Sequence, residues 1–153
     1  MNRALSFLGL ARKAGALEIG EESTGIAARS GKAVVLLSAS DASENTLRRI
    51  YNFAADYGLP HLALPFTKDE LGRALGAGSC AALALMNAGL AANFTEKLEA
   101  EFPGRFTQTL ELLRLKAERE LREQERKEAR ARERSAVKGK LASSKRKGRK
   151  MNG

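Results

Sequence analysis

The chain is 153 residues long, 43% apolar and 29% charged, and 27 Lys and Arg against 18 Asp and Glu leave a net charge of +9. That length predicts one compact domain with an appendage, and the excess of bases points to an anionic partner. No apolar run approaches the roughly 20 residues that a bilayer crossing needs and no leader pattern opens the chain, so membrane and secreted classes are set aside and a cytoplasmic setting is expected.

In chain order, Asn2 can cap a helix with Leu5, Leu8 and Ala11 on one face and Arg12 and Lys13 in its last turn, ended by Gly15. A short apolar segment, Leu17 to Ile19, leads to Gly20 and to a helix opened by Glu21, Glu22 and Ser23, where the macrodipole favours carboxylates. Gly31 closes that helix. Ala33 to Leu37 is a continuous apolar run, the pattern of a central strand covered on both faces. Asp41 with Glu44 predicts a capping box for a helix carrying Leu47, Ile50, Phe53 and Ala54 to Gly58. Leu62 to Leu64 returns as a strand, Thr67 with Glu70 opens a short helix to Gly76, Ala81 to Met86 is another buried strand, and a helix spans about Ala88 to Ala100. Strands separated by helices predict parallel pairing, so residues 1–100 read as a three-layer α/β/α sandwich with about four strands.

Charge divides the chain further. Residues 1–100 hold ten bases and ten acids; 111–134 hold nine bases and seven acids; 135–153 hold seven bases and no acid. Residues 101–134 are expected as a charged helical extension, from Thr107 to about Arg134, with Leu110, Leu113, Ala117 and Leu121 on one face. Roughly 28 helical residues span about 40 Å. The pairs Glu118 and Arg122, Glu123 and Lys127, and Glu128 and Arg132 support its solvated half. Residues 135–153 have little apolar surface to bury and are expected to form a disordered basic tail, able to neutralise phosphates without reading sequence. No aromatic lies in that tail, so base stacking is not expected there.

Catalytic patterns are weak. Cys80 is the single cysteine and His61 the single histidine, which excludes a disulfide framework, a Cys/His zinc site and a Cys–Cys redox pair within one chain. Gly72, Gly76 and Gly78 lack the spacing and the following Gly-Lys-Ser/Thr of a phosphate loop. Cys80 reads as a core residue and His61 as a strand-end or surface residue. No enzyme activity, metal or cofactor is expected.

Binding patterns are stronger. The turn at Gly20 offers backbone N–H groups at a helix N-terminus. Two carboxylates there disfavour a phosphate, whereas Glu21, Glu22 and Ser23 suit base edges, or simply cap the helix. The loop Gly76, Ala77, Gly78, Ser79 and Cys80 is small and uncharged; it either lies flat against a base or turns the chain. Arg12, Lys13, Arg29, Lys32 and Arg73 supply phosphate contacts if they ring these loops, and are ordinary solvated surface if they do not.

The segments Leu8 to Gly15, Gly20 to Glu22, Arg29 to Lys32, Val34 to Asp41 with Asn45 and Thr46, and Leu71 to Gly76 resemble, in order and spacing, the bacterial YlxQ-type proteins, which belong with ribosomal protein seven-Ae. The resemblance covers about residues 3 to 95. It implies an α/β/α sandwich that binds a kink-turn, an internal loop of RNA with tandem sheared G·A pairs, through the glycine-led turn and the late small-residue loop. It also implies a non-enzymatic place in the ribosome, ribosome biogenesis or translation. Relatives from archaea and eukaryotes carry Gly-x-Asn-Glu and then Lys at that turn; aligned on Gly20, those places hold Glu22, Ser23 and Ile26, a change that removes a donor and a cation. Two expectations follow: the head reads structured, ribosomal RNA through the Gly20 and Gly76 loops, or the Leu110 to Leu121 face docks on a ribosomal protein, a translation factor or a second copy, making the chain an interaction scaffold.

Overall fold

The structure, a computed structural model, describes residues 2–151, those from 144 onward by their backbone alone. In chain order the elements are α1 (Arg3–Lys13), β1 (Leu17–Ile19), α2 (Glu21–Arg29), β2 (Val35–Ser38), α3 (Glu44–Tyr57), β3 (His61–Ala63), α4 (Lys68–Leu75), β4 (Ala82–Leu85), α5 (Ala88–Glu101) and α6 (Thr107–Met151). The chain divides into two compact units, Met1–Ala117 and Glu118–Gly153.

Local chemistry fixes most boundaries. The Asn2 side chain accepts from the Ala4 and Leu5 N–H groups to start α1, and Thr67 with Glu70 forms the reciprocal capping box of α4. Before α3 the cap is Ser43 rather than Asp41. Asp41 accepts instead from the Lys68 N–H at 2.8 Å, tying the loop after β2 to the start of α4.

The four strands form one sheet in the order β1-β4-β2-β3. Side chains alternate across it: Val35, Leu37, Leu83 and Leu85 pack with α1, α4, α5 and the first turns of α6, while Leu36, Ala82 and Ala84 pack with Ala27, Ala28 and Ile50 of α2 and α3. This is the expected three-layer sandwich.

Pairing departs from the all-parallel sheet expected. β2 and β3 are parallel, but β4 runs antiparallel to both β1 and β2, with Leu83 opposite Ile19 and Leu37. The cause lies in the chain after α4. It turns at Gly76 (φ 65°) and folds back along the helix, so close that a Cβ on Gly72 would lie 2.3 Å from the Gly78 carbonyl oxygen. The Cys80 N–H then donates to the Lys68 carbonyl, in the first turn of α4. The chain has returned to the end it came from, so β4 must enter the sheet reversed.

The core extends beyond residue 100. Phe106, Leu110 and Leu113 are buried with α1 and α5, and the Glu99 carboxylate holds the α6 start by accepting from the Gly104 N–H, the Phe106 N–H (2.9 Å) and the Thr107 hydroxyl (2.8 Å). Leu121 is exposed, so the proposed docking face has lost Leu110 and Leu113 to the interior.

Helical backbone also continues past Arg134, through residues expected as tail, to Met151. Ala136, Lys138, Lys140, Leu141 and Ala142 are good helix formers with no proline among them, and Gly139 alone does not stop a helix. Every residue from Glu118 to Ser143 is exposed. Of the three Glu-to-base pairs expected, Glu128 with Arg132 forms, at 3.8 Å, and the other two do not come within 4.0 Å. Among the described residues no helix is long and apolar enough to cross a membrane.

Candidate nucleic-acid interface

Because β1, β2 and β3 end where β4 begins, one end of the sheet collects the Gly20 turn, the loop after β2, the loop after β3 and the last residues of the Gly76 to Ala81 loop, which runs back from the far end of α4. Backbone hydrogen bonds stitch them together. Gly20 N–H donates to Ala82 C=O at 2.9 Å, Ala39 N–H to Ala81 C=O at 3.0 Å and Ser40 N–H to Phe66 C=O at 2.7 Å. Helices α2, α3 and α4 all start here, so their free N–H groups and positive dipole ends face the same region.

Gly20 is the N-cap of α2 with φ 102° and no side-chain cap, a backbone conformation that a β-carbon would strain. The three residues after it have different environments. Glu21 is committed to the fold: its carboxylate accepts from the Thr46 hydroxyl and pairs with Arg49 at 2.6 Å, joining α2 to α3. Glu22 is exposed at the helix start. Ser23 is half-buried and lines, with Glu18, Ile26, Ser30, Lys32 and Met86, a cavity of about 190 Å³. Across the end, Gly78 and Ser79 are exposed and Ala77 is half-buried.

The five predicted bases do not ring these loops. Arg12 and Lys13 in the last turn of α1 meet Arg73 and Gly76 at the close of α4, around an open cavity of about 530 Å³. The Arg12 guanidinium donates to the Leu75 carbonyl there. This cluster lies toward the end of the sheet where β1 begins, since Ala16, just before β1, bonds back to Ala11. Arg29 closes α2 and Lys32 lies in the connection to β2. α1, α2 and α4 end in the bases their dipoles favour, and the structure forms two basic flanks rather than one ring.

Cys80 is buried and His61, at the start of β3, is half-buried. Burial pushes the Cys80 thiol up, with Arg12 pulling weakly the other way, which keeps the thiolate scarce. His61 is lowered by burial, and its Nε2 lies 2.7 Å from the Ser38 hydroxyl, with Tyr51 edge-on at 4.9 Å.

Over 74 residues, 48% of this chain and 71% of the relative, the sequence is 36% identical to the RNA-binding protein YlxQ of Enterococcus faecium. The chain belongs to the YlxQ-type family. No protein-family model matches it. Among solved structures, a YlxQ-type chain of this shape is similar to a protein of unknown function from Bacillus halodurans, with 26% identity, a TM-score of 0.60 and coverage of 65% of this chain and 99% of that one. The 15.5 kD RNA binding protein of Giardia lamblia shares the fold at 19% identity, with a TM-score of 0.51 and coverage of 63% and 84%.

The sequence of this YlxQ-type chain gives Asp41 and Thr46 no place at the loop end, and Arg49 and Lys68 none at all. Thr46 and Arg49 lie 25 and 28 residues from Glu21, and no local spacing reports such a pair. Lys68 carried a weak signal, as the first residue after the Thr67 cap.

Proposed function

We propose that this protein is a non-enzymatic binder of structured RNA whose reading surface is the loop end of the sheet. The observation that carries the proposal is the Gly20 to Ala82 hydrogen bond, which sets the glycine turn beside the small-residue loop. Two similar proteins, from Enterococcus faecium and Giardia lamblia, bear RNA-binding names. The end mixes acids, Glu22, Asp41 and Glu44, with Arg48, Arg49 and Lys68, which suits base edges better than a run of phosphates. Glu22 can accept from an exposed base amino group while free N–H groups of the α2 start donate. Gly78 and Ser79 give a second face low enough to approach a base. In this reading the flanks at Arg12, Lys13 and Arg73 and at Arg29 and Lys32 supply phosphate contacts.

The RNA proposed is kink-turn-like and belongs to the ribosome or translation machinery of the cytoplasm, as the family resemblance implies. The test is binding of the full chain to a kink-turn RNA and to the same RNA with its G·A pairs made Watson–Crick. A preference of tenfold or more, about 1.4 kcal/mol, supports the proposal. Glu22→Ala should reduce that preference and lower stability by no more than about 1 kcal/mol, the worth of an exposed first-turn carboxylate. Equal binding to both RNAs refutes kink-turn reading.

A further inference from the structure

Residues 118–151 carry a charge pattern that their composition hides. Taken every fourth residue, one row of α6 between Glu118 and Ala142 contains only bases: Arg122, Arg126, Arg130, Arg134 and Lys138. Of the other rows, two mix signs and the third sets Glu125 and Glu133 among Leu121, Ala129, Val137 and Leu141. Residues four apart are neighbours on a helix surface, and each step rises about 6 Å and turns about 40°, so the row is a ridge of about 24 Å that winds through about 160° of the helix surface. All five residues are exposed. Among the described residues none of the five has a carboxylate within 4.0 Å; the ion pair in this stretch, Arg132 with Glu128, lies off the row.

Helix stability alone does not favour this arrangement. The row makes four successive like-charge contacts at i and i+4, each destabilising, although six glutamates are available in residues 118–133 to interrupt it. A polyanion lying along the row relieves the repulsion. No aromatic side chain lies between Glu118 and Ala142 on which a base could stack. Backbone phosphates recur about every 3.4 Å along one strand of a duplex, more densely than the bases of the row, so phosphates are in reach in any register.

We propose that Arg122, Arg126, Arg130, Arg134 and Lys138 form a ridge that lies along the sugar-phosphate backbone of RNA and holds it whatever its sequence. This rests on the reading of the protein as an RNA binder, and the test separates the two. The full chain is titrated with an RNA duplex of arbitrary sequence, longer than the row, over a series of salt concentrations. Arg130→Gln removes one charge from the row; Arg132→Gln removes one from the opposite side of the same turn. Gln is a good helix former, and circular dichroism checks that helix content is retained in both. The row variant should flatten the slope of log K against log salt by about 0.7 to 0.9, one contact's worth, and the off-row variant by less than half of that. Equal changes in the two variants overturn the ridge in favour of diffuse charge. Binding of the wild type to structured RNA but not to the duplex overturns it as well. Binding to neither at any salt refutes the RNA reading itself.

Discussion

His61 makes the stability of the head depend on pH in the neutral range. Burial lowers its pKa, so the folded protein binds a proton less readily than the unfolded chain, whose histidine titrates near about 6.5. In the window below that value the unfolded state holds more protons, and stability falls as pH drops. Denaturant midpoints should therefore decline from pH 7 to pH 5, and His61→Gln should flatten the decline. Glu99 moves in a separate window: burial raises it, but the Gly104 N–H, the Thr107 hydroxyl and the Phe106 N–H together hold the carboxyl below its ordinary value. Its contribution is present above about pH 4.3, the unfolded value, and is lost as pH falls from there. A wild-type slope unchanged by His61→Gln between pH 7 and 5 would assign the decline to other groups. Residues whose partners are near in sequence were legible: Thr67 with Glu70, Asn2 with its own helix. Glu21 and Asp41 were not, since each spends its carboxylate on a group more than 20 residues away.

At the scale of elements, hydrophobic period identified nearly every helix and strand because each must bury one face. It did not give the direction of β4, which depends on how the Ala77 to Ser79 segment folds over α4 at Gly72, a close approach that no periodicity encodes. Nor did it show where α6 stops being part of the core. Leu110, Leu113, Ala117 and Leu121 form one uninterrupted pattern, yet Leu113 is 1% exposed and Leu121 is 58% exposed. Leu113→Ala should accordingly cost about 2–5 kcal/mol, while Leu121→Ala stays within about 0.5 kcal/mol, both read from denaturant unfolding. A large loss of stability at Leu121 would mean that it is covered by something the described residues do not supply.

At the scale of the whole molecule, charge and core are divided between different parts of the chain. Residues 1–117 contain the buried core and sum to +1, whereas 118–153 sum to +8. The excess that first suggested an anionic partner is therefore almost absent from the sandwich, and counterion release should come chiefly from residues beyond Ala117. A chain ended at Ala117 keeps Phe106, Leu110 and Leu113, and none of the residues from Glu118 to Ser143 that it loses is buried. It should unfold cooperatively at nearly the full-length midpoint, unlike one ended at residue 100, which loses all three core residues. With RNA, the shorter chain should bind more weakly and with a much shallower salt slope, yet keep whatever preference the full chain has for G·A pairs over Watson–Crick ones. In the proposed reading preference comes from the loops at the end of the sheet and affinity from the helix, so the two should separate on truncation. A shortened chain that stays folded but loses the preference along with the affinity would move the reading surface from the Gly20 turn to α6.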